Sequence, residues 1–147
     1  MRAGWRKVVV LAALLAMLSL MLAGCAPSSE ARREQVRRIV TDNYDALAAD
    51  VGAWNFTRSR QIEGIESVYA EPDGMHVEYA CDGSGFGPST AYWGFYYSGD
   101  DDMTWIWCAG EPLASDGAGY RYRQPDGDNT YYTEWIAGHF YYYEAAY

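Results

Sequence analysis

The chain has 147 residues, 11 Lys or Arg against 20 Asp or Glu, a net charge of −9, and a hydrophobic fraction of 50%. That length supports one domain with its own core rather than a stapled miniprotein. A negative field of this size disfavours nucleic acid and bare anionic lipid as partners.

Arg2, Arg6 and Lys7 form a charged n-region, residues 8–22 are an uninterrupted weakly polar to apolar run, and Leu22-Ala23-Gly24-Cys25 closes it. This is the pattern of an export signal over residues 1–24. The closing tetrapeptide resembles the bacterial lipobox. That resemblance implies cleavage before Cys25, a diacylglycerol on its thiol, and a lipoprotein held on the outer face of a bacterial membrane, whether the cell membrane or an outer membrane. Two acyl chains, at roughly 0.8 kcal/mol per buried methylene, suffice for stable anchoring. A transmembrane anchor needs about 20 apolar residues, more than this run supplies; soluble secretion after a cut at Ala23 is the other alternative. Residues 25–147 then form a single lipid-anchored domain. Three of the eleven basic residues leave with the leader, so eight face twenty acids and the mature charge is −12.

Pro27-Ser28 supplies a helix start, and Val36, Ile39, Val40, Tyr44, Leu47 and Val51 recur at helical steps until Gly52. This predicts one amphipathic helix over about 29–51. Arg32, Arg33, Arg37 and Arg38 cluster at its beginning, close to the lipid, where each arginine near an anionic leaflet contributes about 1 kcal/mol. The alternative is a solvated face with internal pairs such as Glu34 and Arg38. From about residue 62 the period becomes two. Strands are expected over 65–71, 75–81, 91–97, 103–108, 120–124, 130–136 and 140–146. Pro72-Asp73-Gly74, Ser98–Asp102 and Pro125–Asp128 supply reversals, and residues 82–89 and 110–119 form longer loops. The expected fold is α+β, the helix packed on a curved antiparallel sheet, a meander of about six to seven strands.

Alternation places Met75, Val77, Tyr79 and Cys81 on the core face of the second strand. The third strand is aromatic on both faces, with Trp93, Phe95 and Tyr97 on one side and Tyr92 and Tyr96 on the other. In an exported compartment Cys81 and Cys108 are a natural disulfide pair, worth roughly 3–4 kcal/mol in the chain-entropy model. Neither cysteine has a C-x-x-C partner or a histidine at ligand spacing, so no metal centre is expected.

The body carries 14 Tyr against 4 Phe. A dry core favours Phe, because every buried phenol must find a partner. The expectation is a ligand platform at Tyr92, Tyr96, Trp105 and Trp107, rimmed by Asp100, Asp101 and Asp102. The competing reading is cross-strand aromatic pairing. Asp82-Gly83-Ser84-Gly85-Phe86-Gly87 lacks the spacing of a dinucleotide loop or a serine elbow. The acidic turns lack the calcium-loop pattern.

The leading reading is therefore a non-enzymatic binding module for an envelope or extracellular polysaccharide or polypeptide, with no cofactor, metal or catalytic residue assigned. Second is an accessory lipoprotein docking on a membrane protein through an exposed apolar helix stripe. Third is a small hydrolase using His139 with Glu134 or Glu144.

Overall fold

The computed structural model describes residues 27–86, 89–106 and 110–147. The lipobox with Cys25, and Trp107 and Cys108, lie outside the described residues. Ser28 caps helix α1 (Ser29–Asp42) by accepting the Ala31 N–H on its hydroxyl at 3.2 Å. The expected single helix breaks at Asn43, whose side-chain amide donates to the Ile39 carbonyl at 2.9 Å. An asparagine that bonds the preceding turn competes with helix propagation, and the chain resumes as α2 (Tyr44–Ala53). Below α2, the buried Asp50 accepts the backbone N–H and hydroxyl of Ser59 and the Arg58 guanidinium, which pins a short 3-10 turn (Ser59–Gln61).

Seven antiparallel strands follow: β1 (Ser67–Ala70), β2 (His76–Phe86), β3 (Ser89–Ser98), β4 (Ala114–Asp116), β5 (Gly119–Arg123), β6 (Thr130–Ala137) and β7 (Phe140–Ala146). The α+β expectation holds, and the sheet is open. Its order, β1-β2-β3-β7-β6-β5-β4, is not a plain meander. The chain leaves the sheet after β3, re-enters at the far edge as β4, and works back until β7 pairs with β3. Residues 103–106, expected as a strand, are a turn in this connection, while residues 82–86, expected as a loop, lengthen β2.

The connection explains why β3 is aromatic on both sides. On the inner face Val36, Val40 and Leu47 of the helices pack against Val77, Tyr79, Phe95, Phe140 and their neighbours. On the outer face Met103, Trp105, Ile106 and Leu113 pack against a second cluster of Tyr96, Tyr131, Tyr141 and Tyr143. Cys81 belongs to the inner cluster and is a free buried thiol, its pKa pushed up to about 12 by burial. Its expected partner Cys108 is not among the described residues, so the bridge is not part of the described structure.

The inner interface is as polar as it is apolar. Arg32 donates to Glu144 at 2.8 Å, Arg33 lies 3.4 Å from Glu134, and Arg37 also donates to Glu134. The Tyr132 hydroxyl donates to Glu134 at 2.7 Å, and Tyr142 and Ser29 donate to Glu144 at 3.1 and 2.5 Å. Arg32 also stacks 4.1 Å over Trp93, and Arg33 4.9 Å over Tyr132. Three of the four clustered arginines therefore face the sheet, rather than a solvated helix face or the lipid surface; Arg38 makes the expected i,i+4 pair with Glu34 at 3.1 Å.

Glu134 is 4% exposed, and its replacement leaves the buried Tyr132 phenol without its acceptor and two partly exposed guanidinium groups without their carboxylate. Glu134→Ala is expected to cost about 1.5–3 kcal/mol, the range for hydrogen bonds to a charged group. Glu34→Ala, in the exposed pair, is expected to cost no more than about 0.5 kcal/mol. Urea midpoints of the two variants measure the difference.

Candidate functional site

Of the four expected platform residues, the three that are described do not share one exposed surface. Tyr96 is fully buried; its hydroxyl shares a hydrogen bond with Thr133 at 2.9 Å and donates to the Met103 carbonyl at 3.4 Å. Trp105 lies over it as part of the cover, tilted at 6.2 Å. Trp107 is outside the described residues. Only Tyr92 is exposed, 43%, and it sits at the other end of β3. The aromatic pairing reading thus accounts for the middle of the outer face, and Tyr92 belongs to a different surface.

The acidic residues expected as a rim are instead a clasp. His76 is buried and stacks on Trp105 at 4.7 Å with the planes 9° apart. Its Nδ1 meets Asp73 at 2.6 Å and its Nε2 meets Asp100 at 3.0 Å. Carboxylates on both ring nitrogens call for both to carry protons. Burial by itself lowers the pKa of His76, but Asp73 and Asp100 outweigh it, and the net shift is upward. Asp73 is held below the ordinary carboxylate range chiefly by its bond from His76. Asp100 is held there by Ser98, the Asp102 N–H and His76. Asp101, with φ +60°, accepts the Tyr141 hydroxyl at 2.6 Å and meets His139 Nδ1 at 2.7 Å. The acid beside His139 is therefore Asp101. Glu134 and Glu144, the partners expected from sequence, are engaged under the helix.

The clasp fixes the start of the β3–β4 connection to the β1–β2 turn, and its pH dependence has two limbs. His76 contributes stability that is complete below its ordinary value of 6.5 and is lost as pH rises through its higher folded value. Asp73 and Asp100 contribute stability that is complete above 3.8 and is lost as pH falls through their lower folded values. Thermal melting against pH is expected to show the highest midpoint between these limits, and His76→Gln is expected to remove the alkaline limb.

An accessible aromatic surface does exist at the end of the sheet where α1 begins. Tyr92 on β3 and Tyr147 meet edge to face at 6.3 Å. Tyr147 is held by two backbone bonds with Thr90, at 2.9 and 3.2 Å. Strand alternation then brings Tyr122 of β5 and Tyr131 and Ala145 of the central strands onto the same outer face. With Tyr147, Gln124, Asn129 and Thr130 they line an open groove of about 220 Å³. Phenol rings, two carboxamides and a hydroxyl share one small concavity. Sequence reasoning found Tyr92 but missed Tyr122 and Tyr147; the alternation Tyr143, Ala145, Tyr147 carried the signal for the latter.

Elsewhere, α1 and α2 turn Glu30, Glu34, Arg38, Thr41 and Asp45 outward and bury Val36, Val40 and Leu47, so the apolar stripe expected of a docking helix is spent on the core. Among the described residues no group of three or more His, Cys, Asp or Glu is arranged to hold a metal ion, and no helix is long and apolar enough to cross a membrane. No family model matches this chain, and no curated protein or solved structure matches it significantly.

Proposed function

We propose that this chain is an exported, lipid-anchored binding module without catalytic activity, and that its tyrosine groove takes one sugar unit of an envelope or extracellular polysaccharide. The observation that carries the reading is the composition of the groove. Tyrosine rings offer apolar faces to the C–H faces of a pyranose, and the carboxamides of Gln124 and Asn129 offer both donors and acceptors to its hydroxyls. The volume is below that of a pocket for a drug-sized ligand, which fits a single ring of a longer chain entering from the open side. No charged side chain lines the groove, so neutral sugars suit it better than uronic acids.

The full chain, purified in detergent, is expected to bind neutral cell-wall oligosaccharides saturably by isothermal titration. Tyr147→Ala or Asn129→Ala is expected to weaken that binding about fivefold, on the order of the ~1 kcal/mol that one stacked aromatic ring or one hydrogen bond contributes. Binding unaffected by both variants contradicts the assignment of the groove.

The anchor reading rests on the lipobox resemblance and on chain length. Cys25 lies three residues before the N-cap Ser28, so a lipid on it stays within about 11 Å of the start of α1. In cell fractionation the protein is expected with the membranes, and Cys25→Ser is expected to abolish its metabolic labelling with a radioactive fatty acid. A Cys25→Ser protein that still takes up the label contradicts the anchor. Exported and oxidised, the chain is further proposed to join Cys81 to Cys108.

A further inference from the structure

Strand β2 is longer than its outer neighbour. It runs eleven residues, from His76 to Phe86, but β1 pairs only with residues 77–80, and one more bond, from the Glu66 N–H to the Ala80 carbonyl at 2.8 Å, ends the contact. Residues 82–86 pair with β3 on one side and have no strand on the other among the described residues. The direction of their backbone groups follows from Thr90, which exchanges both its N–H and its C=O with Tyr147. In an antiparallel ladder a residue that bonds one neighbour with both groups leaves the opposite neighbour unbonded. Gly85, opposite Thr90, and by alternation Gly83, opposite Tyr92, therefore turn their N–H and C=O to the open edge. The Gly83 N–H agrees: it donates to its neighbour Asp82 at 2.6 Å instead of to β3.

Beside this edge lies a groove of about 450 Å³, lined by Glu66, Ser67, Asp82, Gly83, Gly85 and Tyr92 among others, with no basic residue in its lining. Gly83 and Gly85 put no side chain on the outer face, and the Tyr92 ring lies over Gly83. Asp82, facing the same side as Trp93, and the nearby Glu66 put two exposed carboxylates on the inner side of the edge. Charge at an edge is how proteins keep like strands from pairing, and two copies of this acidic edge repel each other. A strand bearing cations is the one it admits.

We propose that the edge of β2 at Gly83 and Gly85 docks an extended, basic segment of a partner polypeptide, which adds a strand to the sheet where β1 stops. The mode is strand addition, in which backbone bonds supply affinity and alternate side chains supply selectivity. Basic residues face Asp82 and Glu66; the residues between them lie across Gly83 against Tyr92. The inference is independent of the sugar groove, which lies on the Tyr147 side of Tyr92.

The test titrates the ¹⁵N-labelled full chain in detergent with a capped decapeptide of alternating Lys and Val. Two controls run beside it: the same peptide N-methylated at every second residue, and a Glu and Val peptide. The expected result is saturable binding of the first peptide alone, with the largest amide shifts at Gly83 and Gly85 and at least tenfold slower exchange of the Gly85 amide. Asp82→Lys is expected to weaken that peptide more than tenfold while its amide spectrum stays that of a folded chain. Equal binding of the N-methylated peptide, shifts centred on Asp100–Asp102, or protection of the Gly85 amide by self-association without peptide overturns the proposal.

Discussion

The guanidinium, carboxylate and phenol seam between α1 and the sheet is the interaction on which the rest of the structure depends. Glu134 and Glu144 are held at their positions by tyrosines two residues before them on the same strand face, Tyr132 and Tyr142. The pairs are the simplest product of strand alternation: Tyr-x-Glu places a phenol and a carboxylate side by side. Burial first, and then Glu134, pushes the Tyr132 hydroxyl up to about 12, so it stays a donor to the carboxylate. Once the buried Glu134 and the half-buried Glu144 stand on the inner face, a helix carrying cations at matching steps covers them without leaving charge unpaired. Arg32, Arg33 and Arg37 supply that match, and Val36 and Val40 complete the same helix face with apolar contact.

Docking α1 in this way orients the whole domain. Its first turn lies against Glu144, toward the end of β7, so the start of α1, the tyrosine groove and the open edge of β2 share one end of the sheet. The histidine clasp and the Asp100–Asp102 turn occupy the other end. The covered outer face lies between them. Tyrosines there are buried with their hydroxyls directed at defined acceptors, Tyr143 to Glu78 at 2.6 Å and Tyr131 to the Met103 carbonyl at 3.2 Å. This protein therefore builds two cores from one sheet, and the residue type that looks suited to a wet platform serves as a core residue because hydroxyl, carbonyl and carboxylate acceptors are packed in with it.

Local features of the fold were readable in the sequence, and features set by distant pairing were not. The face assignments of Val77, Tyr79, Phe95 and Tyr96 follow from alternation, and the turns at Asp73-Gly74 and Asp126-Gly127 from their turn chemistry, whereas Met75, expected on the core face, is 39% exposed where the chain leaves the turn. The strand order has no local signal, because nothing in residues 91–98 says that β7 is their neighbour. The break at Asn43 is a contest between an asparagine side chain and the helix that apolar periodicity does not register. The platform expectation ran aground on a missing partner count: Tyr96 and Trp105 are aromatic and alternate correctly, but Thr133 and Met103, which satisfy and cover Tyr96, lie up to 37 residues away. Likewise Arg32, Arg33 and Arg37 look surface-bound until Glu134 and Glu144 are brought under them.

Amide hydrogen exchange across α1 tests most directly whether its arginines belong to the fold rather than to the membrane. In detergent micelles without anionic lipid, the account predicts that the Val36 and Val40 amides exchange as slowly as those of Tyr142 and Tyr143, because helix and sheet open together. Fast exchange at Val36 and Val40 that slows only when anionic lipid is added contradicts it and returns the arginines to the lipid surface.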